Sequence, residues 1–265
     1  MKQGGQTMRR LNRIFARDGK SVVVAMDHGM GLDVLPHMND TGKVIEKVVE
    51  GGADAILTTF GIAKRYGQEL GTTGLILRLD GGSSMLGGKS RYPRLLYSVE
   101  EALKLGADAV VCMGFPGIEY EEDNMEILAR LAADCREWGV PLMAEMLPGG
   151  FGPEPANTLE NIRMASRIGC EYGADIIKTS FAGTPEEFRQ VVEGSFSPVV
   201  ILGGEKTKEI SDLFETIEEA MTVGVRGVAI GRNVCKHPHP EKMTAALVDL
   251  VHKGKTAQEV LERLG

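Results

Sequence analysis

One lysine of the chain stands where a primary amine could form a covalent bond with a carbonyl compound. Lys178 follows two isoleucines in the stretch ADIIKTSF (174–181). In a strand, alternation would place Ile176, Lys178 and Ser180 on one face. If that face is buried, lost hydration disfavours the ammonium, and a neutral amine can attack a ketone to form a Schiff base. The alternative is a strand-end lysine that extends into solvent, and the sequence alone leaves both interpretations open.

An aspartate in the first apolar run could serve that lysine. Asp27 ends the run SVVVAMD (21–27) and shares a face with Val23 and Ala25 if the run is a strand. Close to Lys178, its carboxylate could hold the amine and relay protons during imine formation. The alternative is an aspartate that only caps a helix or a turn.

A glutamate in a later run is a second candidate for proton transfer. Glu145 lies in PLMAEML (141–147) and shares a face with Met143 and Leu147. Such an apolar setting would raise the pKa of the carboxyl group and would suit a general acid. A buried salt bridge to a neighbouring strand is an equally good interpretation of the same residue.

The histidines do not indicate a metal-dependent mechanism. The chain has five histidines, and only His28 directly follows a predicted strand. A zinc-dependent enzyme of this kind would need several histidines at one mouth. We therefore expect no metal and no cofactor, and we expect His28 to be a hydrogen-bonding residue beside Asp27.

The elements that must position these side chains form a repeat of short apolar runs. Eight runs occur, at 21–27, 53–60, 74–80, 107–115, 141–147, 174–181, 198–202 and 227–230. Most are rich in Val, Ile and Leu, as buried parallel strands are, and segments with helical period lie between them. Gly-Ala-Asp recurs at 52–54, 106–108 and 173–175. Each copy indicates a helix that ends at a left-handed glycine before the next strand.

Eight strand-then-helix units predict an α/β fold of the closed (β/α)₈, or TIM-barrel, type. The alternative, an open doubly wound sheet, would need a nucleotide-binding fingerprint, and the turn after the first run reads DHGMG (27–31) instead. We expect a single domain over residues 1–265, with extra helices near Gln6–Ala16 and Thr256–Leu264. The active site would lie at the carboxyl ends of the strands, where the polar residues include Asp27, His28, Arg78, Asp80, Glu145, Lys178, Ser180, Arg232 and Asn233.

Two glycine-bearing segments follow the seventh and eighth runs, where barrels often bind phosphate. They read Leu202-Gly203-Gly204 and Ile230-Gly231-Arg232. Glycine lets backbone N–H groups approach an oxyanion, a helix N-terminus adds a favourable dipole, and an arginine offers two parallel donors. These four residues, Gly203, Gly204, Gly231 and Arg232, are thus candidates for phosphate binding; in the alternative, the glycines only make tight turns.

Composition narrows the classes of partner. The chain has 265 residues, 43% of them hydrophobic and 25% charged, with a formal net charge of −7. An acidic protein is a poor partner for nucleic acid or an anionic membrane, whereas a local basic pocket can still take a small anionic substrate. The four cysteines are far apart and no secretion signal is evident, which predicts reduced thiols and a cytoplasmic location.

Taken together, these segments resemble the archaeal-type class I fructose-bisphosphate aldolase family, one of the Schiff-base aldolases of the deoxyribose-phosphate/tagatose/fructose-bisphosphate aldolase superfamily. The similarity rests on Asp27-His28-Gly29, Ile177-Lys178-Thr179, Gly203-Gly204 and Gly231-Arg232-Asn233. It extends from about Met8 to Leu264.

The resemblance implies a role for each matching residue. Lys178 would form the Schiff base, Asp27 would position it and move protons, and the phosphate would bind at Gly203, Gly204, Gly231 and Arg232. The reaction would be the metal-free, reversible cleavage of a ketose phosphate, fructose 1,6-bisphosphate first among them, to dihydroxyacetone phosphate and an aldehyde, glyceraldehyde 3-phosphate for that sugar. The family also implies a homo-oligomer, a pentamer or a decamer.

The chain departs from the family at the end of its fifth strand. The family carries a tyrosine followed by Pro-Arg-Gly, and here the stretch reads Leu147-Pro148-Gly149-Gly150. Leucine cannot transfer a proton, so we hypothesise that Glu145 takes over the proton transfer.

Two other activities occur in the family, a synthase that uses a sugar-phosphate donor and a thiolase for phosphorylated autoinducer-2. The stretch VHKGKTA (251–257) is similar to the thiolase. A sugar-phosphate-binding barrel without catalysis is the remaining alternative.

Overall fold

Eight parallel strands close into a barrel in the computed structural model, which describes residues 5–32, 36–87, 93–151, 157–203 and 209–264. The strands are β1 (Ser21–Ala25), β2 (Ala55–Thr58), β3 (Gly74–Arg78), β4 (Ala109–Gly114), β5 (Leu142–Met146), β6 (Ile176–Thr179), β7 (Val199–Leu202) and β8 (Gly227–Ile230). Each pairs with its neighbours in chain order, and β8 closes on β1. The predicted (β/α)₈ barrel is confirmed, and each strand lies within the apolar run that predicted it.

Helices alternate with the strands around the barrel. They are α1 (Gly5–Ile14), α2 (Thr41–Glu50), α3 (Phe60–Tyr66), α4 (Val99–Lys104), α5 (Glu121–Trp138), α6 (Leu159–Glu171), α7 (Pro185–Gly194), α8 (Ile210–Thr222), α9 (Arg232–Cys235), α10 (Pro240–Lys253) and α11 (Ala257–Leu264). Several begin where the sequence offers a side-chain cap. Ser98 with Glu101, and Thr184 with Glu187, form reciprocal capping boxes at α4 and α7.

The three Gly-Ala-Asp segments end helices as predicted. Gly52, Gly106 and Gly173 have φ angles of 89°, 81° and 99°, in the left-handed region that glycine tolerates. The aspartates have a further role that the sequence did not suggest. Their carboxylates accept the backbone N–H of residue 22, 75 or 142 in the preceding strand, at 2.7, 3.1 and 2.9 Å. The recurring segment therefore joins neighbouring strands at the amino-terminal end of the barrel.

Two apolar cores lie on opposite sides of the sheet. Alternate strand residues, such as Val23, Ile76 and Val200, meet inside the cylinder. The residues between them, such as Val22 and Leu77, pack against the surrounding helices. Because side chains alternate along every strand, a polar residue in register with the inner set must point into the cylinder.

The two extra helices are also present. Leu11 and Ile14 of α1 belong to the inner apolar set, and Ser21 Oγ donates to the Ile14 carbonyl at 2.6 Å, so α1 plugs the amino-terminal end of the barrel. At the other terminus, α11 packs on α8 and α10. The N–H of Ala257 donates to Glu218 Oε2 of α8 at 2.7 Å.

The four cysteines are buried and unpaired. Burial raises the pKa of the Cys112, Cys135 and Cys235 thiols, which keeps them in the unreactive thiol form. Within the ranges that the structure describes, no helix combines the length and the apolar character needed to cross a bilayer.

Candidate active site

Lys178 points into the barrel near its carboxyl-terminal mouth. It is the third residue of β6, and Ile176, two residues earlier, belongs to the inner apolar set. Only 4% of the lysine is exposed, so the sequence-based alternative of a solvent-extended side chain is wrong. Its Nζ lies 2.7 Å from Oε1 of Glu145 on the neighbouring strand β5, where the two residues are in register.

Glu145 is shared between two cations. Its second oxygen, Oε2, accepts a hydrogen bond from Nη2 of Arg78. The alternative of a buried salt bridge is thus what the fold contains, and the predicted rise in the pKa of Glu145 is wrong in direction. Burial acts to raise that pKa, but the nearby charges of Lys178 and Arg78 outweigh it, and the pKa of Glu145 is lowered. The carboxylate is therefore ionised beside the amine of Lys178.

Arg78, to which sequence analysis gave no role, binds three carboxylates at the end of β3. Its Nε donates to Asp27, its Nη2 to Glu145, and its Nη1 to Asp80 Oδ1 at 3.0 Å. The side chain is fully buried. The other oxygen of Asp80 accepts the N–H of Met113 at 3.0 Å, which ties the group to β4. The available signal was an arginine and an aspartate, two residues apart on one face, interrupting the apolar run GLILRLD (74–80).

Asp27 lies just beyond β1 and faces Arg78. It precedes a short 3₁₀ turn at His28–Met30, but its side chain makes no capping bond there, so the capping alternative is wrong. Burial acts to raise the pKa of Asp27, yet the charge of Arg78, followed by that of Lys178, outweighs it and holds the pKa at about 2. The carboxylate is therefore ionised and lies within the electrostatic reach of the lysine.

His28 packs over the start of the loop after β8. A Cβ built on Gly231 would lie 2.2 Å from Cε1 of the His28 ring and 2.3 Å from the Ala25 carbonyl oxygen. Glycine is therefore required at position 231 by close packing. Burial is the largest cause that lowers the pKa of His28, and Lys178 and Arg232 add to it against the opposing charge of Asp27. The imidazole is thus held in its neutral form.

The described phosphate candidates adjoin one another. Gly203 follows β7, and a Cβ there would lie 3.2 Å from Ile230 and 3.3 Å from Oδ1 of Asn233, so the loops after β7 and β8 meet. Arg232 is the first residue of α9 and is half-buried, and its charge reaches His28. The structure thus brings Gly203, Gly231, Arg232 and His28 to one side of the mouth, whereas Gly204 lies outside the described residues.

The segment that builds this geometry matches a known family of enzymes. Residues 21–237 match the family model described as "DeoC/LacD family aldolase". The chain belongs to the DeoC/LacD family of aldolases. The matched segment begins at β1 and ends just after α9, so it includes all eight strands that position the site of this aldolase.

Two curated relatives of this aldolase differ in name. A 2-amino-3,7-dideoxy-D-threo-hept-6-ulosonate synthase of Halobacterium salinarum is 37% identical, with 100% of this chain and 98% of the relative covered. A class 1 fructose-bisphosphate aldolase of Thermoproteus tenax is 34% identical, with 94% and 96% covered. Among solved structures, an archaeal fructose-1,6-bisphosphate aldolase superposes with a TM-score of 0.83 at 32% identity, covering 92% of this chain and 99% of that one. That protein was solved with its catalytic lysine covalently bound to the carbinolamine intermediate of the substrate.

The departure from the family at the end of β5 shapes the site of this aldolase. Leu147 follows β5 on the same alternating face as Glu145 and is buried at 8% exposure. Gly149 has a φ angle of 71° and donates its N–H to the Pro116 carbonyl at 2.7 Å. A left-handed turn of this kind favours glycine over the arginine of the family pattern. An apolar side chain therefore follows Glu145 on the same face of the chain, at the position where the family pattern has a tyrosine.

The thiolase-like stretch VHKGKTA (251–257) lies far from this chemistry. It joins α10 to α11, and His252 contacts Asp54, the residue just before β2, at 2.9 Å. That position is the amino-terminal end of the barrel, opposite the mouth that holds Lys178. The stretch thus contributes to the packing of the closed end of the barrel and not to the mouth.

Among the described residues, no group of three or more His, Cys, Asp or Glu side chains is arranged to hold a metal ion.

Proposed function

We propose that this aldolase cleaves a phosphorylated ketose through a Schiff base on Lys178, with fructose 1,6-bisphosphate as the substrate. The observation that carries the proposal is the buried amine of Lys178 inside the barrel mouth, 2.7 Å from the Glu145 carboxylate. A lysine enclosed in this way is withdrawn from bulk water, and a carboxylate in hydrogen-bond contact can take its proton when the amine adds to a carbonyl.

The reaction balances with the groups present. The neutral amine of Lys178 adds to the C2 carbonyl of the ketose to give a carbinolamine, which loses water to form the iminium. Removal of the proton from the C4 hydroxyl then breaks the C3–C4 bond, releases the aldehyde, and leaves the bonding electrons in an enamine on Lys178. Protonation at C3 and hydrolysis of the imine release dihydroxyacetone phosphate and regenerate the amine.

Two ionised carboxylates are placed to move these protons. Glu145, which contacts Lys178 and is ionised, can accept the ammonium proton and return it to the hydroxyl that leaves the carbinolamine as water. It is then ionised again and can accept the proton of the C4 hydroxyl. Asp27, with a pKa of about 2, is a second acceptor for the carbinolamine steps. Since Leu147 has no ionisable group, Glu145 is our candidate for the work that a tyrosine does elsewhere in the family.

The phosphate of the substrate would bind beside the lysine, at the adjoining loops after β7 and β8. Gly203 and Gly231 allow a close approach to the backbone, and Arg232 supplies a positive charge at the same place. His28, held neutral, can donate one hydrogen bond to the ligand. Gly204 continues the same sequence motif. We further propose, from the family resemblance, that residues 1–265 act as one domain that assembles into a homo-oligomer of five or ten copies.

Synthase chemistry on a sugar-phosphate donor is the second candidate function. It is favoured by the Halobacterium salinarum relative, which is 37% identical over the whole chain. Both candidates begin with an imine between Lys178 and a phosphorylated sugar. They differ in the sugar that forms this imine and in the molecule with which the resulting enamine reacts. Trapping on Lys178 is therefore expected for both functions, and only the identity of the sugar that is trapped distinguishes them.

The test is borohydride trapping with a panel of phosphorylated ketoses, followed by mass spectrometry of the labelled peptide. Fructose 1,6-bisphosphate should inactivate the enzyme with borohydride and add its reduced dihydroxyacetone phosphate fragment or its whole carbon chain to Lys178. The K178M variant should take no label, whereas K43M, at a lysine whose side chain is 75% exposed, should label as the wild type does. Tight binding of a sugar phosphate without any trapped imine would instead favour a binding barrel without catalysis.

A further inference from the structure

Arg78 sits between the two carboxylates that the proposed reaction uses. Its guanidinium donates to Asp27 through Nε and to Glu145 through Nη2, and Glu145 in turn contacts Lys178. These three partners lie on different strands, β1, β5 and β6, or just beyond them. One side chain thus sets the relative positions of groups that come from three separate parts of the chain.

The guanidinium is itself held in place by Asp80. Nη1 donates to Asp80 Oδ1 at 3.0 Å, and Asp80 Oδ2 accepts the N–H of Met113 at 3.0 Å. Both Arg78 and Asp80 are at most 1% exposed. The arginine is therefore fixed to the backbone of β4 and cannot follow a carboxylate that moves.

An arginine is needed for this geometry because its donors are spread over a rigid plane. Nε, Nη1 and Nη2 each reach a different carboxylate, whereas the three donors of a lysine ammonium leave from one atom. Its charge is needed as well. Without Arg78, three buried carboxylates would face the cluster, and each would favour the protonated form of its neighbours.

We propose that Arg78 is a positioning residue for the reaction: its one guanidinium fixes the Glu145 carboxylate against the Lys178 amine and holds the Asp27 carboxylate in the same cluster. This inference rests on the proposed function of Lys178. Arg78 itself is fully buried behind the carboxylates, so it acts on the substrate only through them.

The charged and titratable groups around Arg78 and the carboxylates that it binds come from each side of the mouth. They are Asp27 and His28 after β1, Asp80 after β3, Cys112 on β4, Glu145 on β5, Lys178 on β6, and Arg232 with Cys235 on α9. Removing the charge of Arg78 raises the pKa of both Asp27 and Glu145, because Arg78 is among the causes that lower each of them. The acid limb of the pH profile of kcat/KM should then move to higher pH.

The experiment compares R78K and R78M with the wild type, with R13K and R13M as matched controls. Arg13 also pairs with a buried aspartate, Nε to Asp108 Oδ1 at 2.6 Å, but at the amino-terminal end of the barrel. R78K keeps the positive charge but cannot reach all three carboxylates at once. We therefore expect kcat to fall about 100-fold with KM nearly unchanged, which is the scale of the effect of a misplaced catalytic group. R78M should lose at least as much and also shift the acid limb upward. Both Arg13 variants should keep the wild-type profile.

A second readout does not depend on turnover. Side-chain carboxyl NMR of Asp27 and Glu145 should show both ionised at pH 5 in the wild type, with titration moved to higher pH in R78M. If R78M does not fold, the kcat of folded R78K is the measurement that decides the test. A wild-type kcat in R78K, or an equal loss at every pH in R78M with unchanged carboxyl titration, would overturn the inference. A wild type that traps no imine would reject the proposed function, whereas carboxyl shifts in R78M would still show that Arg78 keeps the Asp27 and Glu145 carboxylates ionised.

Discussion

Glu145 and Lys178 lie directly opposite each other on neighbouring strands of the barrel, with Oε1 of the glutamate 2.7 Å from Nζ of the lysine. The other oxygen of the same carboxylate binds Arg78. The proton of the ammonium therefore has an acceptor one hydrogen bond away, and that acceptor is kept ionised by a second, permanent cation.

The first prediction concerns Glu145 as the proton-transfer group. In E145Q the amide keeps the shape of the side chain but cannot accept a proton at neutral pH. We expect kcat to fall by about 10²–10⁴, the usual contribution of general acid–base catalysis, while borohydride still traps substrate on Lys178. Steady-state rates and mass spectrometry of the reduced adduct measure the two effects separately.

The control for this variant is E101Q, at the solvent-exposed capping box of α4, where the carboxylate bonds to the N–H of Ser98 at the start of its own helix. It should leave kcat unchanged. Full turnover in E145Q would reject the proton-transfer role of the glutamate, and loss of trapping together with turnover would show that it acts mainly by holding the lysine.

The second prediction concerns the close packing at Gly231. In G231A the new methyl carbon would stand 2.3 Å from a backbone carbonyl oxygen at Ala25, which cannot rotate away, and 2.2 Å from the His28 ring. The loop after β8 must shift, so we expect a loss of about 1–3 kcal/mol in unfolding free energy, typical of overpacking, and weaker substrate binding. Urea unfolding and KM measure the two.

Gly29 provides the matched control, because a Cβ there meets nothing within 4 Å. G29A should unfold like the wild type and keep its KM. Equal stability and equal KM in G231A and G29A would show that the mouth is looser than the packing of His28 on Gly231 indicates.

The third prediction concerns pH-dependent stability at the opposite end of the barrel. His252 Nδ1 lies 2.9 Å from Asp18 and Nε2 2.9 Å from Asp54. A carboxylate only accepts hydrogen bonds, so both ring nitrogens donate and the imidazole is protonated. The bond to Asp54 is the largest cause that raises the pKa of His252, burial opposes it, and the bond to Asp18 adds to it.

A raised pKa in the folded state stabilises the protein at low pH. The contribution is complete below about 6.5, the usual pKa of histidine, and is lost as the pH rises through the higher value of the folded state. The unfolding free energy of H252Q should therefore lie below that of the wild type by roughly 1 kcal/mol at pH 5.5, a modest value because solvent screens these partly exposed ion pairs. At pH 9 the two unfolding free energies should be nearly equal. Urea unfolding across this range is the measurement.

His239 supplies the comparison, since its side chain is 53% exposed. H239Q should show a much smaller dependence of the stability difference on pH. A gap between H252Q and the wild type that stays constant or widens toward pH 9 would contradict the prediction.

The barrel was predictable because its signals are local. Each strand is an apolar run that needs only its own residues to be recognised, and the Gly-Ala-Asp segments mark helix ends through the left-handed glycine at 52, 106 and 173. The inward direction of Lys178 also follows from alternation with Ile176, once a barrel is assumed. The candidate residues at the carboxyl ends of the strands were then found by a rule of the fold.

The protonation of the site was not predictable in the same way. Glu145 has apolar neighbours in the sequence, Met143 and Leu147, and these suggested a raised pKa. In the fold its partners are Arg78 and Lys178, which stand 67 and 33 positions away along the chain. Sequence neighbours indicate that the segment is a buried strand, whereas the pKa of its carboxyl group depends on charges that lie on other strands of the barrel.

The sequence by itself determined the order of the elements, the residues that share one face of each strand, and the lysine that could form an imine, because these depend on periodicity and on residue type. Only the tertiary structure decided that Arg78 binds Asp27 and Glu145, across separations of 51 and 67 residues. The physical reason is that a salt bridge needs its partners within a few ångströms, and closure of the barrel alone brings the ends of β1, β3, β5 and β6 to one mouth.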